Sequence, residues 1–187
     1  MDIKDAILNR RTIRRFQQKP VKIEVLTELV ELSRLYASGG NLQPIRYAVV
    51  LDPAKRNAVF DTLRWAAYLP GYEIKDDQRP TAYVVLMADE QVKKNCQFDL
   101  GASATTFMLA AEEHSLSTCC LGSFNKEKLI EILKLSDELE PLLVIAVGYP
   151  GHNSKAVDYI DSVKYYEDES GCLCVPKRSV DEVLTVY

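Results

Sequence analysis

Histidine occurs only twice in the 187 residues, as His114 and His152. The two stand far apart with no neighbouring ligands. A histidine-based metal site is not expected from them, because a zinc-type centre gathers several nitrogen or sulfur ligands at one point. Three other signals are missing. There is no GxGxxG, no P-loop and no GxSxG elbow, so neither a dinucleotide fold, an ATP fold nor a hydrolase nucleophile is implied. No run approaches the ~20 apolar residues that cross a bilayer. The start, Asp2-Ile3-Lys4-Asp5, is charged and lacks the apolar stretch of a signal peptide. A cytoplasmic protein with no membrane partner is therefore expected. Cysteine is scattered and odd in number, as Cys96, Cys119, Cys120, Cys172 and Cys174. That is no disulfide framework, and reduced thiols fit the same compartment. Cys172 and Cys174 lack further ligands nearby, and Cys119-Cys120 lies in a predicted strand, where cysteine usually serves as core.

What the sequence does have is apolar content. At 47% hydrophobic and 187 residues, it can build one substantial core, so residues 1–187 are read as a single domain. The net charge of -4 argues against nucleic acid as the partner of the whole surface. Helix-like and strand-like runs alternate. Asp2 caps a first helix with Ile3, Ala6 and Ile7 on one face. Pro20 opens a second, striped by Val25, Leu26, Leu29, Val30 and Leu32. Residues 54–66 suit a third helix, broken by Pro70-Gly71, and 71–80 reads as a surface loop or lid. A helix over 98–115 is nearly all small from Gly101 to Thr106. Such a stretch suits a buried helix or a subunit interface. Asn125 caps a helix reaching Leu133. Strands are predicted over 47–51, 83–87, 117–121 and 142–147, the second apolar throughout and so buried on both faces. The tail, 151–187, is polar with scattered aromatics and needs a surface to pack on, in its own domain or another subunit. The fold class is α+β, a small mixed β-sheet packed by helices with a long C-terminal arm.

The densest charge cluster is Arg10-Arg11-Thr12-Ile13-Arg14-Arg15. Cations near a helix C-terminus complement its dipole, but four arginines exceed what capping needs. The guanidinium fork suits phosphate, and Thr12 adds a hydroxyl. A nucleic-acid reading of this run competes, against the acidic background. Lys177-Arg178, beside Pro176, is a second basic pair able to close on the same phosphate. The loop from Ser38 to Pro44 joins flexible glycines to the amides of Asn41 and Gln43. Each amide offers a donor and an acceptor, the combination that the edge of a flavin ring requires.

In order and spacing these elements resemble the nitroreductase family of FMN-dependent flavoproteins. The residues that carry the resemblance are Arg10 to Phe16, Ser38 to Pro44, Asp99-Leu100-Gly101-Ala102, Leu121-Gly122-Ser123-Phe124, Gly148-Tyr149-Pro150 and Pro176-Lys177-Arg178. They span essentially the whole chain. The resemblance implies a nitroreductase-like fold in an intertwined homodimer with an exchanged C-terminal arm and FMN at the interface. It implies that Arg10, Arg11 and Thr12 hold the FMN phosphate and ribityl chain, with Lys177 and Arg178 completing the phosphate site. Arg14 would face the pyrimidine edge of the flavin. Ser38, Asn41 and Gln43 would reach the ring and ribityl from the other subunit. Leu121 and Gly122 would pass along the ring near N5.

The chemistry so implied is hydride transfer from NAD(P)H, a transient co-substrate, through flavin N5 to a small flat acceptor such as a nitroaromatic or a quinone. No side chain serves as a catalytic nucleophile or base, because N5 carries the chemistry, and no metal takes part. Three positions depart from many relatives. Ala37 replaces a proline, Thr12 a serine, and Ile45 a tryptophan. Trp65, Tyr68 and Tyr72, on the presumed lid, are candidates for the acceptor pocket, Trp65 having a second reading as plain core. Two alternatives stay open. One is a specialised relative, a dehalogenase, enone reductase or azoline dehydrogenase. The other is a flavin-binding protein with little turnover.

Overall fold

A computed structural model describes residues 2–187. Its centre is a four-stranded sheet of β1 (Ile45–Val50), β2 (Ala82–Asp89), β3 (Ser117–Leu121) and β4 (Leu139–Gly148), in the order β1-β2-β4-β3. All three pairings are antiparallel. β2 alternates between two cores. Val84, Leu86 and Ala88 face one, with Leu26, Leu29, Leu100 and Phe107 from α2 (Ile23–Ser33) and α4 (Gln97–Glu113). Tyr83, Val85 and Met87 face the other, with Val59 and Leu129 from α3 (Pro53–Thr62) and α5 (Lys126–Leu133). That double burial is why β2 reads apolar at every position.

The helix signals act as their chemistry predicts. In α1 (Ile3–Asn9) the Asp2 carboxylate accepts from the Asp5 N–H at 2.9 Å. In α5 the Asn125 side chain accepts from the Lys128 N–H at 2.9 Å. One expectation needs correction. α3 ends at Thr62, not 66, because Leu63 turns extended and pairs with Phe124. In α1 only Ala6 is buried, while Ile3 and Ile7 are exposed. With Leu32 of α2 and with Leu109 and Ala110 of α4, Ile3 and Ala6 line an open groove of about 390 Å³.

The tail departs from expectation as well. It folds partly on itself, as a three-stranded sheet of β5 (Ser154–Asp158), β6 (Tyr166–Glu167) and β7 (Leu173–Lys177), in the order β5-β7-β6. β5 and β7 are parallel and β6 and β7 antiparallel, so the mixed strand directions lie here. Leu173 and Cys174 are buried. The alternating polar and apolar residues of these short strands resemble an irregular tail until their pairing is known. A last short helix, α6 (Val180–Val183), leads into an apolar end, with Val183, Leu184, Val186 and Tyr187 exposed. No helix among the described residues is long and apolar enough to cross a membrane.

Candidate functional site

The arginine cluster follows α1 and runs beside β3 as an extra edge segment. Thr12 forms a parallel bridge with Thr118, and the Ile13 N–H donates to the Thr118 carbonyl at 3.0 Å. The Phe16 N–H donates to the Gln78 carbonyl at 2.8 Å, and the Gln17 N–H to that of Tyr149 at 2.9 Å. The Gly151 N–H donates back to the Arg15 carbonyl at 2.8 Å. Ile13 and Phe16 are buried as anchors between the arginines. The cations thus stand on a backbone fixed along most of its length.

Their side chains meet different fates. Burial, and then the neighbouring charge of Arg10, lower the Arg11 pKa, with Glu112 of α4 opposing. The Glu112 carboxyl is pushed up by burial, and Arg10 and Arg11 pull it back. Arg15 is neutralised, with Glu167 at 3.0 Å and the Tyr72 ring 4.5 Å away. Arg14 has no carboxylate partner among the described residues. Its guanidinium stacks on Tyr165, 4.4 Å to the ring centroid, and its Nη1 is buried without a hydrogen-bond partner. The Thr118 hydroxyl is buried and unpartnered too. A buried, unpaired guanidinium nitrogen costs free energy unless a ligand meets it.

Beyond the buried Leu121 the chain turns at the exposed Gly122, where a Cβ would meet nothing within 4 Å. The turn is fixed from behind. The Arg64 N–H donates to the Ser123 carbonyl at 3.0 Å, and the Asn125 N–H to that of Thr62 at 2.9 Å. Cys119 is buried, and burial pushes its thiol up to about 12, so it is no thiolate at neutral pH. Cys120 is exposed.

The loop from Ser38 to Gln43 lies elsewhere in the chain, beside the start of α4. Ser38 Oγ donates to Asp99 Oδ1 at 2.5 Å and accepts the Gln43 N–H at 2.9 Å. Lys93 Nζ donates to Asp99 Oδ2 at 2.7 Å. Asp99 is fully buried. Burial pushes its carboxyl up, but the Lys93 and Ser38 hydrogen bonds and the Lys93 charge together hold it below the usual range. Gly40, Asn41 and Gln43 all adopt left-handed backbone, φ 62, 53 and 51, which asparagine tolerates better than most residues. Gln43 Nε2 donates to Asn41 Oδ1 at 3.1 Å. Lys177 and Arg178 share no ion-pair partner with the arginine cluster among the described residues. Arg178 pairs with Glu182 at 3.1 Å and lies over the Tyr159 ring at 4.4 Å.

The three lid aromatics separate. Trp65 packs on Phe60, ring centroids 5.5 Å apart, within the core beside α3 and α5. Tyr68 is 47% exposed and packs on Tyr165 at 5.1 Å. Tyr72 reaches Arg15. The chain therefore brings the segment Arg10 to Arg15 together with β3 and Leu121, with Tyr72 and, through Tyr165, with Tyr68, while the Ser38 loop and the Lys177-Arg178 pair bond to other partners.

The nitroreductase family model matches residues 7–149, most of the chain. The chain belongs to the nitroreductase family. Over 68 residues, 36% of this chain, it is 44% identical to the NADH dehydrogenase of Thermus thermophilus, and the match spans 31% of that relative. A nitroreductase family protein from Streptococcus pneumoniae superposes with TM-score 0.74 over 100% of both chains at 16% identity. A structure from Exiguobacterium sibiricum, solved in complex with FMN, superposes with TM-score 0.69 at 16% identity, over 81% of this chain and 89% of that one. Those identities make them evidence for the nitroreductase fold. Sequence reasoning gave no role to Tyr165, Lys93 and His152, and Asp99 entered it only within the stretch Asp99-Leu100-Gly101-Ala102. An Asp-x-Gly at the start of a small-residue helix was the one visible trace of Asp99. Tyr165 left none.

Proposed function

We propose that the chain is an FMN-dependent NAD(P)H oxidoreductase that reduces a flat electrophilic acceptor, a nitroaromatic, a quinone or a similar ring, by a ping-pong course. The observation that carries this reading is Arg14. It is a cation with a buried, unpaired Nη1, on a loop stitched to β3, in a family of flavoproteins. The residues fit the cofactor on two further counts. Gly122 leaves open space over its backbone, as a flat ring requires. Arg10, Arg11 and Thr12 follow one another along the edge of β3, Thr12 opposite Thr118, able to hold a phosphate and a ribityl chain. When bound, FMN supplies a hydride relay at N5 between NAD(P)H and the acceptor.

The chain's own residues bind and tune. Arg14 places positive charge where the pyrimidine side of the ring gains negative charge on reduction, which favours the reduced form. Leu121 and Gly122 would lie along the ring, and Tyr68 and Tyr72 would wall the acceptor side. Ser38, Asn41 and Gln43 complete the site from a second copy of the chain, and Lys177 and Arg178 join it through the C-terminal arm. A homodimer is supported by the apolar groove between α1, α2 and α4 and by the exposed apolar end at Val183 to Tyr187. Each leaves apolar surface that a second copy would cover. Five free cysteines fit a cytoplasmic location.

A second reading, a flavin-binding protein with little turnover, draws support from Tyr165, which lies over Arg14, with Tyr68 packed on it. Anaerobic absorbance spectra of FMN-loaded protein, before and after NADH and then NADPH, decide between them. Bleaching by either nucleotide is expected. Bound flavin that stays oxidised would favour the second reading. A chain that retains no flavin would overturn both.

A further inference from the structure

We propose that Tyr165 is a positioning residue for Arg14. Its ring, braced by Tyr68, fixes the plane of the guanidinium and keeps the in-plane donors free for the pyrimidine edge of the flavin. The inference rests on the FMN reading above. It concerns a residue of the C-terminal segment that no sequence motif marks.

The argument begins with the shape of the group. A guanidinium carries its five N–H donors at its edge and none on its faces. A partner at the edge consumes donors, whereas a ring on the face does not. At 4.4 Å from the centroid, Tyr165 is such a face partner, held by attraction between cation and ring. Arg14 has no ion pair and no side-chain hydrogen bond among the described residues. The ring is thus its one directional restraint.

The neighbouring charges are arranged to the same end. Glu167 follows Tyr165 by two residues, and it pairs with Arg15 at 3.0 Å. The nearby carboxylate is thereby spent on Arg15, and the charge of Arg14 stays uncompensated. Were the pairing reversed, Arg14 would have little charge left for a reduced flavin.

Tyr165 is itself held on both sides. Tyr68 packs on it at 5.1 Å, the rings inclined by 54°. Tyr166, the next residue, opens β6 and pairs with Cys174 of β7. The Arg15–Glu167 contact closes the segment onto the arginine loop. The ring therefore approaches Arg14 from a fixed frame.

The test uses the full chain loaded with FMN and reads the two-electron midpoint potential by dye equilibration. Tyr165→Ala is expected to lower the potential by about 20 mV. That corresponds to an about fivefold weaker preference for reduced over oxidised flavin, within the range of one cation–ring contact. Tyr165→Phe keeps the ring and should restore the wild-type value. Arg14→Ala should lower the potential at least as far, and adding Tyr165→Ala to it should change nothing more. A Tyr165→Ala potential equal to wild type, or a shift that persists without Arg14, would overturn the inference while leaving the FMN reading intact. A wild-type chain that retains no FMN overturns both.

Discussion

Asp99 is the buried charge on which the Ser38 loop depends, and replacing it with asparagine tests that dependence. Asn keeps the shape and still accepts from the Ser38 hydroxyl, but Lys93 loses its counter-charge. Removing one partner of a fully buried ion pair costs about 3–5 kcal/mol. Lys93 retains 27% of its side-chain exposure, so water takes up part of its charge and the expected cost falls to about 2 kcal/mol. In a chain of this length that lowers Tm by about 4–8 °C. Removing both charges, as Lys93→Met with Asp99→Asn, leaves no orphan and should recover at least half the loss. Urea unfolding at fixed protein concentration measures all three proteins, and hydrogen exchange at the Gln43 amide reports on the loop. The acid dependence follows from the sign of the shift. The folded pKa of Asp99 is lowered, so its contribution is present above about pH 4 and is lost as pH falls through the lowered value. The gap between wild type and Asp99→Asn should stay constant near neutrality and close on the acid side. A single variant as stable as wild type, or a double variant no better than the single, would refute the reasoning.

His152 and two glycines give further tests. Burial, then Arg15 and Arg14, lower the His152 pKa to about 4 from 6.5. The unfolded chain therefore takes up a proton between those values that the folded chain refuses, and stability falls as pH drops across that interval. His152→Phe should flatten that part of a Tm against pH profile, and an unchanged slope would count against the assignment. A Cβ on Gly151 would lie 2.8 Å from the Arg15 carbonyl oxygen and 3.0 Å from its carbon. Backbone cannot swing aside, so Gly151→Ala should cost about 1–3 kcal/mol in urea unfolding. Gly122→Ala meets open space and should stay within about 0.5 kcal/mol of wild type, yet retain FMN less well on gel filtration if a ring lies there.

The parts of this molecule legible in its sequence are those governed by neighbours along the chain. The caps at Asp2 and Asn125, the bounds of β3 and the double burial of β2 all follow from local periodicity and short-range hydrogen bonding. The end of α3 did not, because Leu63 leaves the helix to pair with Phe124, a contact 61 positions away. The site divides in the same manner. Arg10 to Arg15 announce themselves by density alone. Asp99 meets Ser38 across 61 residues, and Tyr165 meets Arg14 across most of the chain, so neither partner predicts the other. Trp65 has two readings in the sequence, pocket and core. Its type suits a pocket, but Phe60 beside it turns it into the core.

The bridge between Thr12 and Thr118 has a kinetic consequence. Many anion-binding loops are slack until their ligand arrives, and the ordering of the loop is subtracted from the affinity. Here the segment from Ile13 to Gln17 is already bonded to β3, to Gln78 and to Tyr149, so little freedom is left to lose. Capture of an anionic ligand should then behave as a collision with a rigid, charged rim. Its rate would follow ionic strength closely and temperature only weakly, and would show no lag from folding of the loop.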